Sequence, residues 1–238
     1  MPHTKRMFQR TVMGKFAAGF ALVAMLSASV AFASTDTKPG LLGFKDDSPE
    51  NIKLRSAPGD PIKGQDKSLL CQGCHGEKGM SVEGMIPHLA GQYGVYISKN
   101  LRNFQSGVRT HQIMSAMAAT IDDADLADIS AYFAAQPKMK GTGSKSNSEI
   151  GRNIFLKGDM ARMIVACVNC HGIDGKGKTA SNPMFPVIGG QQADYLRGQL
   201  INWRKGERIN SPGGIMNIIA QKLSDKEIDS LAEYLSGL

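Results

Sequence analysis

All four cysteines of the chain lie in two pentapeptides of one pattern, Cys71-Gln72-Gly73-Cys74-His75 and Cys167-Val168-Asn169-Cys170-His171. Two thiols separated by two residues and followed at once by a histidine form the pattern through which c-type haem is attached. The thiols add across the two vinyl groups of a haem, and the histidine binds the iron as proximal ligand. We therefore expect two covalently attached haem c groups, with His75 and His171 as iron ligands.

Two other interpretations of a Cys-x-x-Cys pair are a thioredoxin-like redox site and half of a zinc site. The first requires a βαβ pattern around the motif, which the sequence lacks. The second would join two motifs across 92 intervening residues, far from the usual ligand spacing, and would leave both adjacent histidines unexplained. The whole pattern occurring twice favours haem.

The first 33 residues have the form of a secretory signal peptide. Lys5, Arg6, Arg10 and Lys15 precede an apolar run from Phe16 to Ala33 that closes on Ala-Phe-Ala, a small-x-small cleavage site. The 18-residue run is also long enough for an uncleaved membrane anchor, although the polar residues after it favour cleavage. We expect the mature protein in the periplasm, where its cysteines can be used for haem attachment.

The formal net charge of +7 overstates how basic the mature protein is. Four of the positive charges lie in the signal, and the remaining residues carry 24 Lys and Arg against 21 Asp and Glu. A nucleic-acid-binding footprint is therefore absent. The residual charge is unevenly distributed along the chain. This distribution is compatible both with docking to a charged redox protein and with an ordinary solvated surface. A loose association with a membrane surface is a further alternative.

The second half of the chain repeats the first. The two haem motifs are offset by 96 residues. The stretches 87–92 and 186–191, both of the form Pro-x-x-x-Gly-Gln, are offset by 99 residues. Met114 and Met216 are offset by 102 residues. We place an irregular extension at 34–58, one haem domain at 59–136, a linker at 137–148 and a second haem domain at 149–238. The linker is rich in Lys, Gly, Ser and Thr.

Both halves are predicted to be helical, with no alternating strand pattern. We expect helices before the haem motifs at Ile62–Leu70 and Ile150–Val165, and a middle helix at about Gln92–Ser106 and its repeat, ending at Gly107 and Gly206. The last helices begin at Asp122 and Ser224, the latter with a capping box. Their buried faces are formed by Leu126, Ile129 and Phe133, and by Ile228, Leu231 and Leu235.

A sixth ligand shared by both irons must come from the repeated residues, because His88 and His111 occur in the first half alone. Met114 and Met216 are repeated and lie in the expected loop between the middle and last helices. A methionine is otherwise most often core filling. As thioether ligands they would favour ferrous iron and raise the reduction potential.

Other repeated residues have plausible roles around the haems. The carbonyls of Pro87 and Pro186 can accept the Nδ1–H of the proximal histidines, besides forming turns. Arg109 and Arg208 are candidates for pairing with haem propionates. An ordinary position on the solvent-exposed surface explains either arginine almost as well. Tyr96, Tyr195 and Trp203 are expected to pack around the macrocycle. A more specific alternative is that the hydroxyl or indole N–H of these residues lies near a haem propionate.

Together, the motifs resemble the dihaem cytochrome c4 family. The similarity covers about residues 59–238 and is strongest over Gly158–Gly172. It departs at the 34–58 extension and at Ile188-Gly189, where a Leu-Ala pair is usual. The resemblance implies a periplasmic electron shuttle from a quinol-oxidising complex to a terminal oxidase, with two haems facing each other across a pseudo-twofold interface.

The sequence therefore predicts an all-α protein of two tandem cytochrome c-like domains that carries single electrons and is not an enzyme. Rival interpretations are a dihaem redox enzyme with one open iron, and a dedicated electron acceptor of one dehydrogenase, such as a thiosulfate-oxidising one. A haem-based gas sensor is a weaker alternative, since no signalling segment follows.

Overall fold

A computed structural model describes residues 58–141, 148–177 and 184–238 of the chain. Within them the regular structure is helical, and the only β-type pairing is an isolated bridge between Asp159 and Ile164. The first half contains α1 (Pro61–Lys67), α2 (Leu69–His75), α3 (Gly94–Gln105), α4 (Gln112–Ala119) and α5 (Asp123–Ala135). The second contains α6 (Glu149–Lys157), α7 (Val168–His171), α8 (Ala193–Lys205), α9 (Ile215–Ala220) and α10 (Asp225–Ser236), with 3₁₀ turns at Met160–Arg162 and Pro212–Gly214.

In both halves the first and last helices cross closely at a glycine. A Cβ on Gly64 of α1 would lie 2.0 Å from the carbonyl oxygen of Asp128 in α5, and one on Gly151 of α6 would lie 2.0 Å from that of Ser230 in α10. Only glycine permits this approach of two backbones. The apolar faces predicted for α5 and α10 are buried, with no member more than 4% exposed: Leu126, Ile129, Phe133, Ile228, Leu231 and Leu235.

The helix expected at Ile150–Val165 is wrong at its C-terminal end, because α6 stops at Lys157. Gly158 has φ of +68°, and a Cβ there would lie 2.2 Å from the carbonyl oxygen of Ile164. The chain then turns back, and two backbone hydrogen bonds of 2.8 Å join Asp159 and Ile164. Glycine adopts a positive φ without the steric cost that other residues have, so Gly158 itself explains why the helix ends here.

This turn is an insertion that the repeat comparison missed. Gly64 precedes Cys71 by seven residues, whereas its counterpart Gly151 precedes Cys167 by sixteen, so the second half carries nine extra residues here. In the first half the helix expected at Ile62–Leu70 is instead divided at Ser68, and α2 continues through the haem motif.

The two repeated methionines lie in short helices rather than in loops, which corrects the sequence-based expectation. Met114 is the third residue of α4, and its N–H donates to Nδ1 of His111 at 3.3 Å. Met216 is the second residue of α9, and its N–H donates to Oγ of Ser211 at 3.2 Å. First-turn N–H groups have no partner inside a helix, so both methionine backbones are held by an upstream side chain.

The other predicted helix ends are confirmed. Gly107 and Gly206 both have φ of +77° just past the ends of α3 and α8. Asp122 accepts the N–H of Asp125 at 2.7 Å. Ser224 and Glu227 form the reciprocal capping box at the start of α10.

The predicted linker begins with a buried residue among exposed ones: Met139 is buried, whereas Pro137 and Lys140 are exposed. Met139 is fully buried with Tyr93 and Val187, one from each half. Its N–H donates to the carbonyl of Ala90 at 3.1 Å, and the N–H of Gly141 donates to that of Leu238 at 2.9 Å. The segment 137–141 therefore makes contacts with both halves through Met139 and Gly141.

The proposed signal peptide and nearly all of the extension at 34–58 fall outside the described residues. Across the helices that the structure does describe, none has the length and apolar content needed to cross a bilayer.

Candidate haem sites

The first haem motif lies on α2, which ends at its histidine. Cys71 and Cys74 are three residues apart, so their thiols share one helix face. His75 is only 7% exposed, and its Nδ1 lies 2.8 Å from the carbonyl oxygen of Pro87. A carbonyl can only accept, so Nδ1 carries the proton and Nε2 is left with the lone pair that binds a metal.

The second motif repeats this geometry on α7. Cys167 precedes the helix, and His171 ends it at 8% exposure. Nδ1 of His171 lies 2.8 Å from the carbonyl oxygen of Pro186. Burial lowers the pKa of both imidazoles, which favours the neutral form that coordinates iron. Both prolines thus lie where they were expected to orient the proximal histidines.

The four cysteines lie in two separate pairs, one on α2 and one at the start of α7. Around neither pair do the described residues form a group of three or more His, Cys, Asp or Glu side chains that could hold a metal ion. Burial raises the pKa of Cys71, and raises that of Cys167 to about 11. Burial therefore favours the protonated thiol at these two positions.

In each half, the repeated methionine and the first cysteine of the haem motif pack against the same hydrophobic core. Met114, Cys71 and Leu89 are half-buried against the core of the first half. Met216, Cys167 and Ile188 occupy the corresponding place against the core of the second. A thioether and an attachment cysteine therefore border the same core in both halves, as a sixth ligand and its haem motif would. Iron ligation by Met114 and Met216 stays a prediction.

Arg109 and Arg208 lie at the interface between the halves, where each reaches across to a tyrosine of the other. Arg109 donates to the hydroxyl of Tyr195 at 3.1 Å, and Arg208 to that of Tyr96 at 2.9 Å. Arg208 is 4% exposed, so a plain surface role is wrong for it. The guanidinium groups stack on repeated aromatic rings, at 4.7 Å from the centroid of Phe104 and 4.1 Å from that of Trp203.

The donor set at this interface fits a bound anion. Among the described residues, Arg109, Arg208 and Lys99 make hydrogen bonds to neutral oxygens and no ion pair with a carboxylate. Burial and the two arginines lower the pKa of Lys99. Nε1 of Trp203 is buried without a partner. Buried cations need a counter-charge, and the propionates of two haems would supply it.

Sequence reasoning missed the polar residues that hold these arginines. Oδ1 of Asn100 accepts from Arg109 at 2.8 Å, and Oε1 of Gln199 accepts from Arg208 at 2.7 Å. It also missed the interface role of Gln92 and Gln191, whose side chains are almost fully buried. The 99-residue offset that joins each of these pairs was the available signal.

Comparison with known proteins matches both halves. The family model for cytochrome c matches residues 63–136 and again residues 148–238. Cytochrome c4 of Pseudomonas aeruginosa is 38% identical over 186 residues, which cover 78% of this chain and 92% of that protein. The thiosulfate dehydrogenase electron acceptor of Stutzerimonas stutzeri is 38% identical over 176 residues, covering 72% of this chain and 80% of that protein.

A solved structure shows the same fold. The crystal structure of reduced recombinant cytochrome c4 from Pseudomonas stutzeri has a TM-score of 0.71 and 35% identity, covering 76% of this chain and 99% of that one. Each matched segment of the family model contains one Cys-x-x-Cys-His motif. The chain therefore belongs to the cytochrome c4 family, as an electron carrier of two tandem cytochrome c domains with two covalently attached haem c groups.

Proposed function

We propose that the protein is a periplasmic single-electron carrier between a quinol-oxidising complex or a dehydrogenase and a terminal oxidase, with His75 and Met114 on one iron and His171 and Met216 on the other. The observation that carries the proposal is the repetition of the complete arrangement. In both halves a carbonyl-oriented histidine ends the haem motif, and a methionine packs against the same core as the first cysteine of that motif. Two filled iron sites favour electron transfer over ligand activation.

Bound haem supplies an iron that gains or loses one electron. The cysteines tether it, and the Pro87 and Pro186 carbonyls hold the two imidazoles in one tautomer. Met114 and Met216, as thioether ligands, would leave the ligand set unchanged when the iron changes oxidation state, which would keep the reorganisation energy small. Arg109 and Arg208 would offset the propionate charge from the interface side.

The carrier proposal is tested by the ligand-binding behaviour of the purified dihaem protein. With both irons closed, the ferric protein shows the weak far-red methionine–iron absorption for two haems, and the ferrous protein takes up carbon monoxide slowly. Rapid binding of carbon monoxide or cyanide at one haem would instead identify an open site and favour a dihaem enzyme. Met216→Ala is the positive control, because it opens one site by design.

A second candidate is service as the electron acceptor of a thiosulfate dehydrogenase. The relative of that name in Stutzerimonas stutzeri is as identical to this chain as the Pseudomonas aeruginosa cytochrome c4 is. The test is stopped-flow reduction of the oxidised protein by a quinol-oxidising complex with quinol and, separately, by a thiosulfate dehydrogenase with thiosulfate. A general carrier is reduced rapidly by the first donor, whereas a dedicated acceptor is reduced rapidly by the second alone.

The periplasmic location is tested at the N-terminus of the mature protein. Cleavage after Ala33 predicts that the haem-loaded protein begins at Ser34 and is released with the soluble periplasmic fraction. An intact N-terminus in the membrane fraction would show the anchor instead.

A further inference from the structure

Two buried glutamines exchange hydrogen bonds with the opposite half. Nε2 of Gln92 donates to the carbonyl of Val187 at 2.8 Å, and its Oε1 accepts the N–H of Val187 at 2.9 Å. Nε2 of Gln191 donates to the carbonyl of His88 at 2.9 Å, and its Oε1 accepts the N–H of His88 at 2.7 Å. Gln92 is 5% exposed and Gln191 is 4% exposed.

The orientation of both amides is determined by their partners. Oε1 of Gln92 also accepts the N–H of Tyr93 at 3.1 Å, and Oε1 of Gln191 accepts that of Gln192 at 2.9 Å. Each oxygen therefore faces two donors while each nitrogen faces a carbonyl acceptor, which assigns oxygen and nitrogen without ambiguity.

Each glutamine binds the same peptide group that orients a proximal histidine. The peptide joining Pro186 to Val187 accepts Nδ1–H of His171 at its carbonyl and donates its N–H to Gln92. In the other half, the Pro87 carbonyl accepts from His75 while the His88 N–H donates to Gln191. One peptide unit therefore separates the proximal histidine of each half from a glutamine of the other.

Hydrogen bonds at the two ends of a peptide group strengthen each other. An N–H that donates polarises its peptide, and the carbonyl becomes a stronger acceptor. A stronger bond from the carbonyl to Nδ1–H makes the imidazole a more basic ligand, which favours ferric over ferrous iron. Removing the glutamine acceptor should therefore raise the reduction potential of the haem that the peptide serves.

We propose that Gln92 and Gln191 are positioning residues that tune the haem of the opposite domain: Gln92 tunes the haem held by His171, and Gln191 tunes the haem held by His75. The inference rests on the proposed iron ligation by the two histidines. It makes the domain interface part of the electronic environment of both irons, beyond its role in holding the halves together.

A neighbouring residue provides a matched control. Nε2 of Gln192 donates to the carbonyl of Ser81 at 2.9 Å, which is also a contact between the halves. This contact does not touch the peptide after Pro87 or Pro186. Gln192→Leu therefore removes an interface hydrogen bond of the same kind, with the same substitution, and leaves both histidine–peptide contacts in place.

The experiment measures the potential of each haem in the full-length dihaem protein carrying Gln92→Leu, Gln191→Leu or Gln192→Leu. Hyperfine-shifted proton NMR signals, assigned to each haem, are followed through a redox titration. We expect an upward shift at the second haem in Gln92→Leu and at the first haem in Gln191→Leu, and unchanged potentials in Gln192→Leu. Gln92→Met and Gln191→Met fill similar space without an amide and should give the same crossed pattern if a leucine variant folds poorly.

A shift confined to the haem of the substituted domain, equal shifts at both haems, or no difference from Gln192→Leu would overturn the inference. The wild-type protein separates this failure from failure of the proposed function. Its far-red absorption and slow carbon monoxide binding test the closed iron sites whatever the glutamine variants show.

Discussion

We expect an ion pair at the start of α10 to contribute to the acid sensitivity of the second half. Nη2 of Arg162 lies 2.5 Å from Oε1 of Glu227, and Nη1 lies 3.2 Å from Oε2. The N–H of Ser224 also donates to Oε2 at 2.8 Å. These contacts, that with Arg162 above all, lower the pKa of Glu227 from 4.5 to about 2. The pair joins the inserted turn after α6 to the last helix.

The magnitude follows from that shift. At about 1.4 kcal/mol per pKa unit, the full shift would correspond to ~3 kcal/mol of folding free energy. The Glu227 side chain is 15% exposed but that of Arg162 is 43% exposed, so solvent screening reduces the expected value to about 1–2 kcal/mol. Because the pKa is depressed in the folded state, this stability is present above pH 4.5 and is lost as the pH falls towards 2.

Glu227→Gln removes the titrating group while keeping an oxygen that can accept from Ser224. We expect the wild type to lose about 1–2 kcal/mol more than this variant between pH 6 and pH 2.5. The measurement is urea unfolding at a series of pH values, followed by fluorescence of Trp203, the one tryptophan of the chain and a reporter of the second half. Haem ligands also protonate in acid, but they do so in both proteins and cancel in the difference.

A double-mutant cycle with Arg162→Met isolates the pair from the rest of the cap. In the Arg162→Met background, Glu227→Gln should change the acid dependence much less than in the wild type. Equal loss of stability with falling pH in the wild type and in Glu227→Gln would refute the assignment of this pH dependence to the pair.

Three further perturbations test the sites and the interface. Met114→Ala should give a low-spin first haem ligated by two histidines, because His111 is three residues away, whereas Met216→Ala should leave a second haem that binds carbon monoxide rapidly; identical optical spectra of the two variants would contradict this. Met139→Ala removes a fully buried side chain and should lower the free energy of unfolding by about 2–5 kcal/mol in urea titrations. An unchanged urea midpoint would show that the packing of Met139 does not stabilise the protein. Tyr195→Phe removes an acceptor from the half-buried guanidinium of Arg109, and it should lower the free energy of unfolding by about 1.5 kcal/mol in the same measurement.

Residues that act through local spacing were predictable from the sequence. The haem motifs, the capping box at Ser224 and the left-handed glycines each depend on a few consecutive positions, so a short window contains the whole signal. The proline carbonyls were predicted by combining one motif with the repeat, and the structure has both contacts.

Features that depend on the meeting of distant segments were not predictable in this way. The insertion after Gly158 interrupts an otherwise helical pattern, and apolar residues such as Ile164 continue the stripe although they belong to a turn. The burial of Met139 depends on Tyr93 and Val187, which are remote in sequence. Arg208 resembled a surface arginine because its partners, Tyr96 and Asn100, lie in the other half.

The crossed glutamine contacts have a consequence for how the two halves stay together. Each half contributes one glutamine side chain and the backbone N–H and carbonyl of one residue to these contacts. Such a reciprocal exchange of the same groups defines an isologous dimer contact. The peptide connection between the halves then acts as a tether that sets an effective concentration, typically in the millimolar range for short linkers. Two haem-loaded halves produced by cutting the linker should therefore reassemble in a concentration-dependent manner, whereas the intact chain remains paired on dilution.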